Sequence, residues 1–197
     1  MNAAPRLVRG TDRGVSPGDA ECFVRVRDGD LGALGVLYDR YHGDVAALVA
    51  RAGVPDADLE DAVHETFLTL VACAADYDGR ASARPWILGI AWRVAAQRRR
   101  SLRRWIKALV GFGSHPVTPL EDPESVAVRG ERRAAFDRAL GALPAKMRAV
   151  VLLVEVEGLS GEEAGRALGI PTATVWTRLH HARKRLAALL DPTEGGP

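Results

Sequence analysis

Cysteine is scarce. The 197-residue chain holds two, Cys22 and Cys73, and neither lies in a C-x-x-C or at ligand spacing from a histidine. That argues against a disulfide framework or a structural zinc site, and it fits reduced, inert thiols in a cytoplasmic protein. His42 and His115 likewise have no ligand partner at useful spacing, so no metal and no cofactor is expected. The opening MNAAPRLVRGTDRGVSPGDA has no apolar core of the kind a signal peptide needs. Nowhere does the chain approach the roughly 20 apolar residues of a membrane span, so no direct membrane insertion is expected. Period-two alternation is missing too, which leaves helices as the building material.

Acid is absent over long stretches. Net charge is only +2, and the 47% of apolar residues is enough for packed cores. From Asp19 to Asp78, however, thirteen acids face four basic residues, a local net of −9. From Gly79 to Leu120 there is no acid at all, against Arg80, Arg84, Arg93, Arg98, Arg99, Arg100, Arg103, Arg104 and Lys107. A near-neutral chain divided this sharply points to two different partners for two different surfaces.

The apolar pattern predicts an all-α protein of two small helical domains joined by a flexible linker. Residues 1–18 read as a loose tail. Leu34, Leu37, Tyr38, Tyr41, Val45, Leu48 and Val49 recur at helix period until Gly53 and Pro55 stop them. Asp56 or Asp58 would cap the next helix, striped by Leu59, Ala62, Val63, Phe67, Leu70 and Val71. Residues 76–83, DYDGRASA, read as a loop. Pro85 suits the first turn of a third helix lined by Trp86, Ile87, Ile90, Ala91 and Val94, which runs into QRRRSLRR. The first domain is expected over 19–107 and a Gly/Pro/Ser-containing linker over 108–130. The second is expected over 131–190, a helix-turn-helix domain of four helices, followed by a tail at 191–197.

The last helix pair carries the most local signal. Ser160 and Glu163 have capping-box spacing, Gly169 suits a left-handed C-cap, and Pro171 prevents the first helix from continuing. The following helix should bury Val175, Leu179, Ala182 and Leu186 and expose Trp176, Thr177, His180, His181 and Lys184. Alone, this pattern fits equally a helical hairpin with a solvated basic face or a helix-turn-helix that binds DNA. Two details favour the second: side chains able to contact bases or phosphates stand early in the helix, and no acid occurs from Ala164 to Leu190.

The stretch LPAKMRAVVLLVEVEGLSGEEAGRALGIPTATVWTRLHHARKRLAALL resembles the fourth region of bacterial sigma factors of the sigma-70 family, in particular the extracytoplasmic-function (ECF) group. LYDRYHGDVAALVARAGVPDADLEDAVHETFLTLV and RPWILGIAWRVAAQRRR resemble the start and the promoter-binding end of region two. The resemblance implies core RNA polymerase and promoter DNA as partners, with an anti-sigma factor as a further partner. It assigns Asp61, His64, Glu65 and Leu68 to docking on the polymerase clamp. Arg84, Trp86, Arg93, Arg98 and Arg99 fall to the minus-ten element, and the loop 76–83 stands where the family captures a flipped base. Trp176, Thr177, His180 and His181 stand at the positions that read the minus-thirty-five element, with Thr174 beside them. Arg178 and Arg183 are expected to contact phosphates or remain surface charges.

The chain departs from the family pattern at His64, Arg93, Ala173 and Gly165, where Gln, Asn, Gly and Ala are usual, and Trp176 replaces a common basic residue. Gly165 is expected to weaken the packing of the helix pair, since a mid-helix glycine costs roughly 1 kcal/mol relative to alanine. Two other functions compete with a non-enzymatic sigma factor. A helix-turn-helix regulator acting without polymerase would have no use for the acidic helix. An enzyme acting on nucleic acid would need paired carboxylates or a His/Asp cluster beside the basic face, and residues 79–120 offer none.

Overall fold

The computed structural model describes residues 17–79, 82–110 and 129–190, with backbone alone for 103, 105–110 and 129–133. It contains α1 (Asp19–Arg27), α2 (Leu31–Arg51), α3 (Leu59–Ala72), α4 (Arg84–Val110), α5 (Arg129–Ala142), α6 (Ala145–Val150), α7 (Gly161–Leu168) and α8 (Thr172–Leu190). A π-helical turn, Val151–Val156, extends α6. Among the described residues there is no strand, as the sequence predicts. Residues 111–128, most of the expected linker, lie outside the described residues, as do His115 and the terminal segments 1–16 and 191–197.

Most helix boundaries follow from local chemistry. Asp30 caps α2 by accepting from the Gly32 and Ala33 amides at 2.8 and 3.3 Å. Ser160 and Glu163 form the predicted reciprocal capping box on α7. Gly169 ends α7 at φ +66°, and the Ile170 amide reaches back to the Gly165 carbonyl at 2.9 Å. Two expectations fail. Neither Asp56 nor Asp58 caps α3 with its side chain, because a 3₁₀ turn, Asp56–Asp58, precedes that helix. Val71 lies 39% exposed rather than in the apolar stripe.

The short helix α1 has no counterpart in the sequence reading. Its buried residues are Asp19, Cys22, Phe23 and Val26, an i, i+3, i+4, i+7 face whose first member is charged. Asp19 belongs inside because it ties α1 to the entry of α4. It accepts from the Tyr41 hydroxyl at 2.5 Å and the Ala83 amide at 2.7 Å, and it pairs with Arg40. Burial opposes its charge, but these donors outweigh burial and hold the carboxyl below its ordinary value.

The two parts predicted from sequence pack against each other in this structure, and their buried side chains form one continuous cluster. α7 lies on α4 at Gly89. A Cβ built there would come within 2.6 Å of the Ala167 carbonyl oxygen and 3.0 Å of its Cα, so only glycine lets the helix backbones approach this closely. Beside this contact Glu157, its side chain 5% exposed, accepts from Arg84 at 2.7 Å and Arg51 at 3.0 Å. The Arg84 guanidinium also reaches the Glu157 carbonyl at 2.8 Å and Asp44 at 2.5 Å.

A second polar junction forms at the end of α2. The Ala52 carbonyl accepts from Arg99 at 2.5 Å and from Arg148 at 3.4 Å across the two parts. Cations belong here, where a helix C-terminus leaves carbonyls unsatisfied. Arg148 is buried and also gathers the Leu140, Gly141 and Leu143 carbonyls, which end α5.

Candidate nucleic-acid interface

α7 and α8 form a helix-turn-helix pair. Val175, Leu179, Ala182 and Leu186 are all buried, and Trp176, Thr177, His180, His181 and Lys184 are exposed. Inward and outward sets therefore divide as the period of 3.6 requires. The tight turn depends on Gly165, because a Cβ there would meet the Ile170 carbonyl oxygen at 2.9 Å. The expectation that this glycine loosens the pair is thus overturned. Its missing side chain admits the turn backbone.

On the outer face of α8 the groups differ in freedom. Thr177 Oγ1 bonds the Ala173 carbonyl at 3.0 Å, and the His180 and His181 rings lie tilted together, centroids 5.6 Å apart. Arg183 pairs with Glu155, which ties it to the helix behind. Thr174 and Arg178 are half-buried at the edges of the face. Trp176 is 51% exposed.

The basic helix α4 is less simple. At about 100° per residue, Trp86 and Arg93 fall on one side of it, and Arg84, Arg98 and Arg99 on the other. The five residues do not form one exposed face. Arg84 is held in the Glu157 junction, Arg98 pairs with Glu65 at 2.7 Å, and Arg99 bonds the Ala52 carbonyl. Trp86 stands edge-on to Phe23 and Tyr77. Arg93 is exposed, its Nε bonding the Gly89 carbonyl at 3.2 Å. A cavity of about 450 Å³ opens beside Trp86, between Tyr77 and Asp78 of the loop and Glu163 and Arg166 of α7.

On α3, Asp61, His64 and Leu68 share the outer face, with Leu68 69% exposed. Glu65 is half-turned toward Arg98. Leu68 and Val71, three residues apart, leave apolar surface exposed on the same helix as Asp61.

Comparison with known proteins decides what this arrangement belongs to. Residues 37–105 match the family described as Sigma-70 region 2 and residues 133–186 that described as Sigma-70, region 4. The RNA polymerase sigma factor NccH of Alcaligenes xylosoxydans xylosoxydans is 31% identical over 86% of this chain and 93% of its own. The ECF RNA polymerase sigma factor SigM of Mycobacterium tuberculosis is 31% identical over 87% and 84%. The ECF RNA polymerase sigma-E factor of Escherichia coli is 30% identical over 88% and 95%. This chain is an ECF sigma factor.

Two solved structures share the fold. One is of CnrH in complex with the cytosolic domain of CnrY, with a TM-score of 0.65 at 24% identity over 89% of this chain and 98% of that one. The other is of the sigma factor RpoE with the anti-sigma factor NepR from Bartonella quintana, with a TM-score of 0.60 at 21% identity over 79% and 95%.

Within this sigma factor, the region 2 match runs from within α2 into α4 and the region 4 match from α5 into α8, with α1 preceding the matched residues. Sequence reasoning missed Glu157, Gly89 and Gly161, all of which act at helix contacts. It also missed Val71 beside Leu68. Among the described residues no group of three or more His, Cys, Asp or Glu is placed to hold a metal, and no helix is long and apolar enough to cross a membrane.

Proposed function

We propose that this sigma factor works in the cytoplasm, binds core RNA polymerase through the outer face of α3, and directs initiation at promoters carrying both a minus-ten and a minus-thirty-five element. Asp61, His64 and Leu68 dock on a basic, partly apolar helix surface of the enzyme, and Glu65 joins them by exchanging Arg98. Region 2 engages the minus-ten element with Trp86 and Arg93. Arg84, Arg98 and Arg99 reach the phosphate backbone after leaving their present partners. α8 enters the major groove at the minus-thirty-five element with Trp176, Thr177, His180 and His181 toward the bases, and Thr174 and Arg178 toward the edges.

The observation that carries this reading is the clean division of α8, four apolar residues inward and a continuous acid-free face outward, on a capped scaffold helix. Because α7 lies beside Trp86 in the compact form, minus-ten binding along that side requires region 4 to move off region 2. An anti-sigma factor is an expected partner by extension from the inhibitor-bound relative.

Run-off transcription with core polymerase on a promoter library tests the proposal. Initiation should depend on this protein, and folded protein that directs none would overturn it. Reversing Asp61 and Glu65 to Lys should abolish core binding and leave duplex binding by α8 intact. A regulator acting without polymerase would keep its whole activity.

A further inference from the structure

Gly161 is the first residue of α7, and nothing in its backbone calls for glycine, since its φ is not among the positive values of this chain. The capping box on either side, Ser160 and Glu163 at 2.8 and 3.2 Å, fixes that turn. Space is what calls for glycine here. A Cβ at 161 would stand 2.6 Å from Cζ2, 2.7 Å from Cε2 and 3.0 Å from Nε1 of Trp176. Gly161 is accordingly buried although it opens its helix, and the indole covering it remains 51% exposed.

We propose that Gly161 is a positioning residue that seats Trp176 in one orientation, and that the seated indole makes the chain select the 5-methyl group of thymine at one step of the minus-thirty-five element. This rests on the reading of α8 as the groove-entering helix. The Nε1–Cε2–Cζ2 side of the ring lies on the Gly161 backbone, so the N–H edge is turned toward the scaffold helix. The hydrocarbon side of the six-membered ring is the part left for the groove. An apolar edge without a donor or acceptor recognises a methyl group, and thymine alone presents one there. Seating holds the contact in place before DNA arrives, which is the value of a rigid aromatic anchor. Alanine at 161 would displace a movable ring rather than the capped backbone, so the effect falls on Trp176 and not on the fold.

The test uses the full chain with core polymerase and a promoter library randomised over the upstream element, followed by binding to the selected promoter. Wild type should require thymine at one step, and replacing that thymine by uracil should weaken binding about fourfold, the fold-change of one buried methyl group. Gly161→Ala should lose the thymine-over-uracil preference, and in a Trp176→Ala background it should change nothing further. In protein labelled with 5-fluorotryptophan, the resonance that disappears in Trp176→Phe should shift in Gly161→Ala without DNA present.

The proposal is overturned if Gly161→Ala keeps the thymine preference, or if its effect persists undiminished without Trp176. If Trp176→Ala leaves the selected sequences unchanged while the fluorine resonance still moves, the seat exists, but the minus-thirty-five reading of Trp176 fails and the specificity role falls with it.

Discussion

Glu157 and Arg84, 73 residues apart in sequence, meet through two hydrogen bonds, one to the carboxylate at 2.7 Å and one to the backbone carbonyl at 2.8 Å. The contact joins the end of the π-helical turn in region 4 to the first residue of the basic helix α4. With Arg51, which pairs with the same carboxylate, the Arg84 guanidinium joins the two parts in the compact form. Under the proposed function, where Arg84 also reaches the phosphate backbone, this contact would couple the arrangement of the regions to promoter binding.

Glu157→Lys should open the compact form. It places a third cation beside Arg51 and Arg84, and breaking a buried ion pair costs about 3–5 kcal/mol, with the lower end applying here because both arginines keep solvent contact. Fluorophores at the exposed positions Thr69 and Ala187 would report the change as a longer distance in the free protein. An unchanged distance in folded protein would show that the pair does not hold the regions together.

Gly89→Ala should act on the same junction by sterics. In an isolated helix the change would favour α4 by about 1 kcal/mol. Here the added methyl meets the Ala167 carbonyl oxygen at 2.6 Å, so α4 and α7 separate while helical content stays constant. Circular dichroism and the Thr69–Ala187 distance, measured together, distinguish the two effects. Combined with Glu157→Lys, the distance should change by less than the sum, since both release one contact.

Much of the fold was readable because period and caps are local. The buried set of α8, the Ser160–Glu163 box and the left-handed Gly169 were all predicted from spacing within one or two turns. What could not be read depends on distant partners. A basic residue looks the same in sequence whether it faces DNA or a carboxylate 73 positions away, so Arg84, Arg98 and Arg99 read as one group although they turn to separate partners. Glycines misled for a related reason. Gly165 read as a weak point of its helix, and Gly89 and Gly161 drew no reading, yet each is small because another element lies against it. The charged start of α1 hid that helix in the same way.

Arg148→Met should cost region 4 about 3–5 kcal/mol, measured by urea unfolding. Methionine fills similar space, but it removes the side-chain donor from the Gly141 and Leu143 carbonyls and leaves that of Leu140 only the Leu143 amide. Arg148→Lys should rescue little, because a single ammonium cannot reach carbonyls arranged for a planar fork. Full rescue by lysine would mean that charge alone, rather than the fork, ends α5.

The Asp19 cluster should give stability a defined dependence on pH at both ends. Its folded pKa lies below the ordinary 3.8 because the donors from Tyr41, Ala83 and Arg40 outweigh burial. A depressed carboxylate contributes stability that is fully present above its unfolded value and is lost as pH falls through the folded one. Tyr41 has the opposite sign. Burial first, then its hydrogen bond to Asp19, push the phenol from 10.0 to about 12. Its contribution is therefore present below pH 10.0 and lost as pH rises toward 12. Asp19→Asn should lower stability by about 1–3 kcal/mol at neutral pH, the cost of a charge-assisted network left half-made. The gap to wild type should then close as pH drops below the ordinary aspartate value. Urea unfolding of both proteins at pH 7, 5, 4 and 3 measures it, and a gap independent of pH would show that shape, not charge, is what Asp19 contributes.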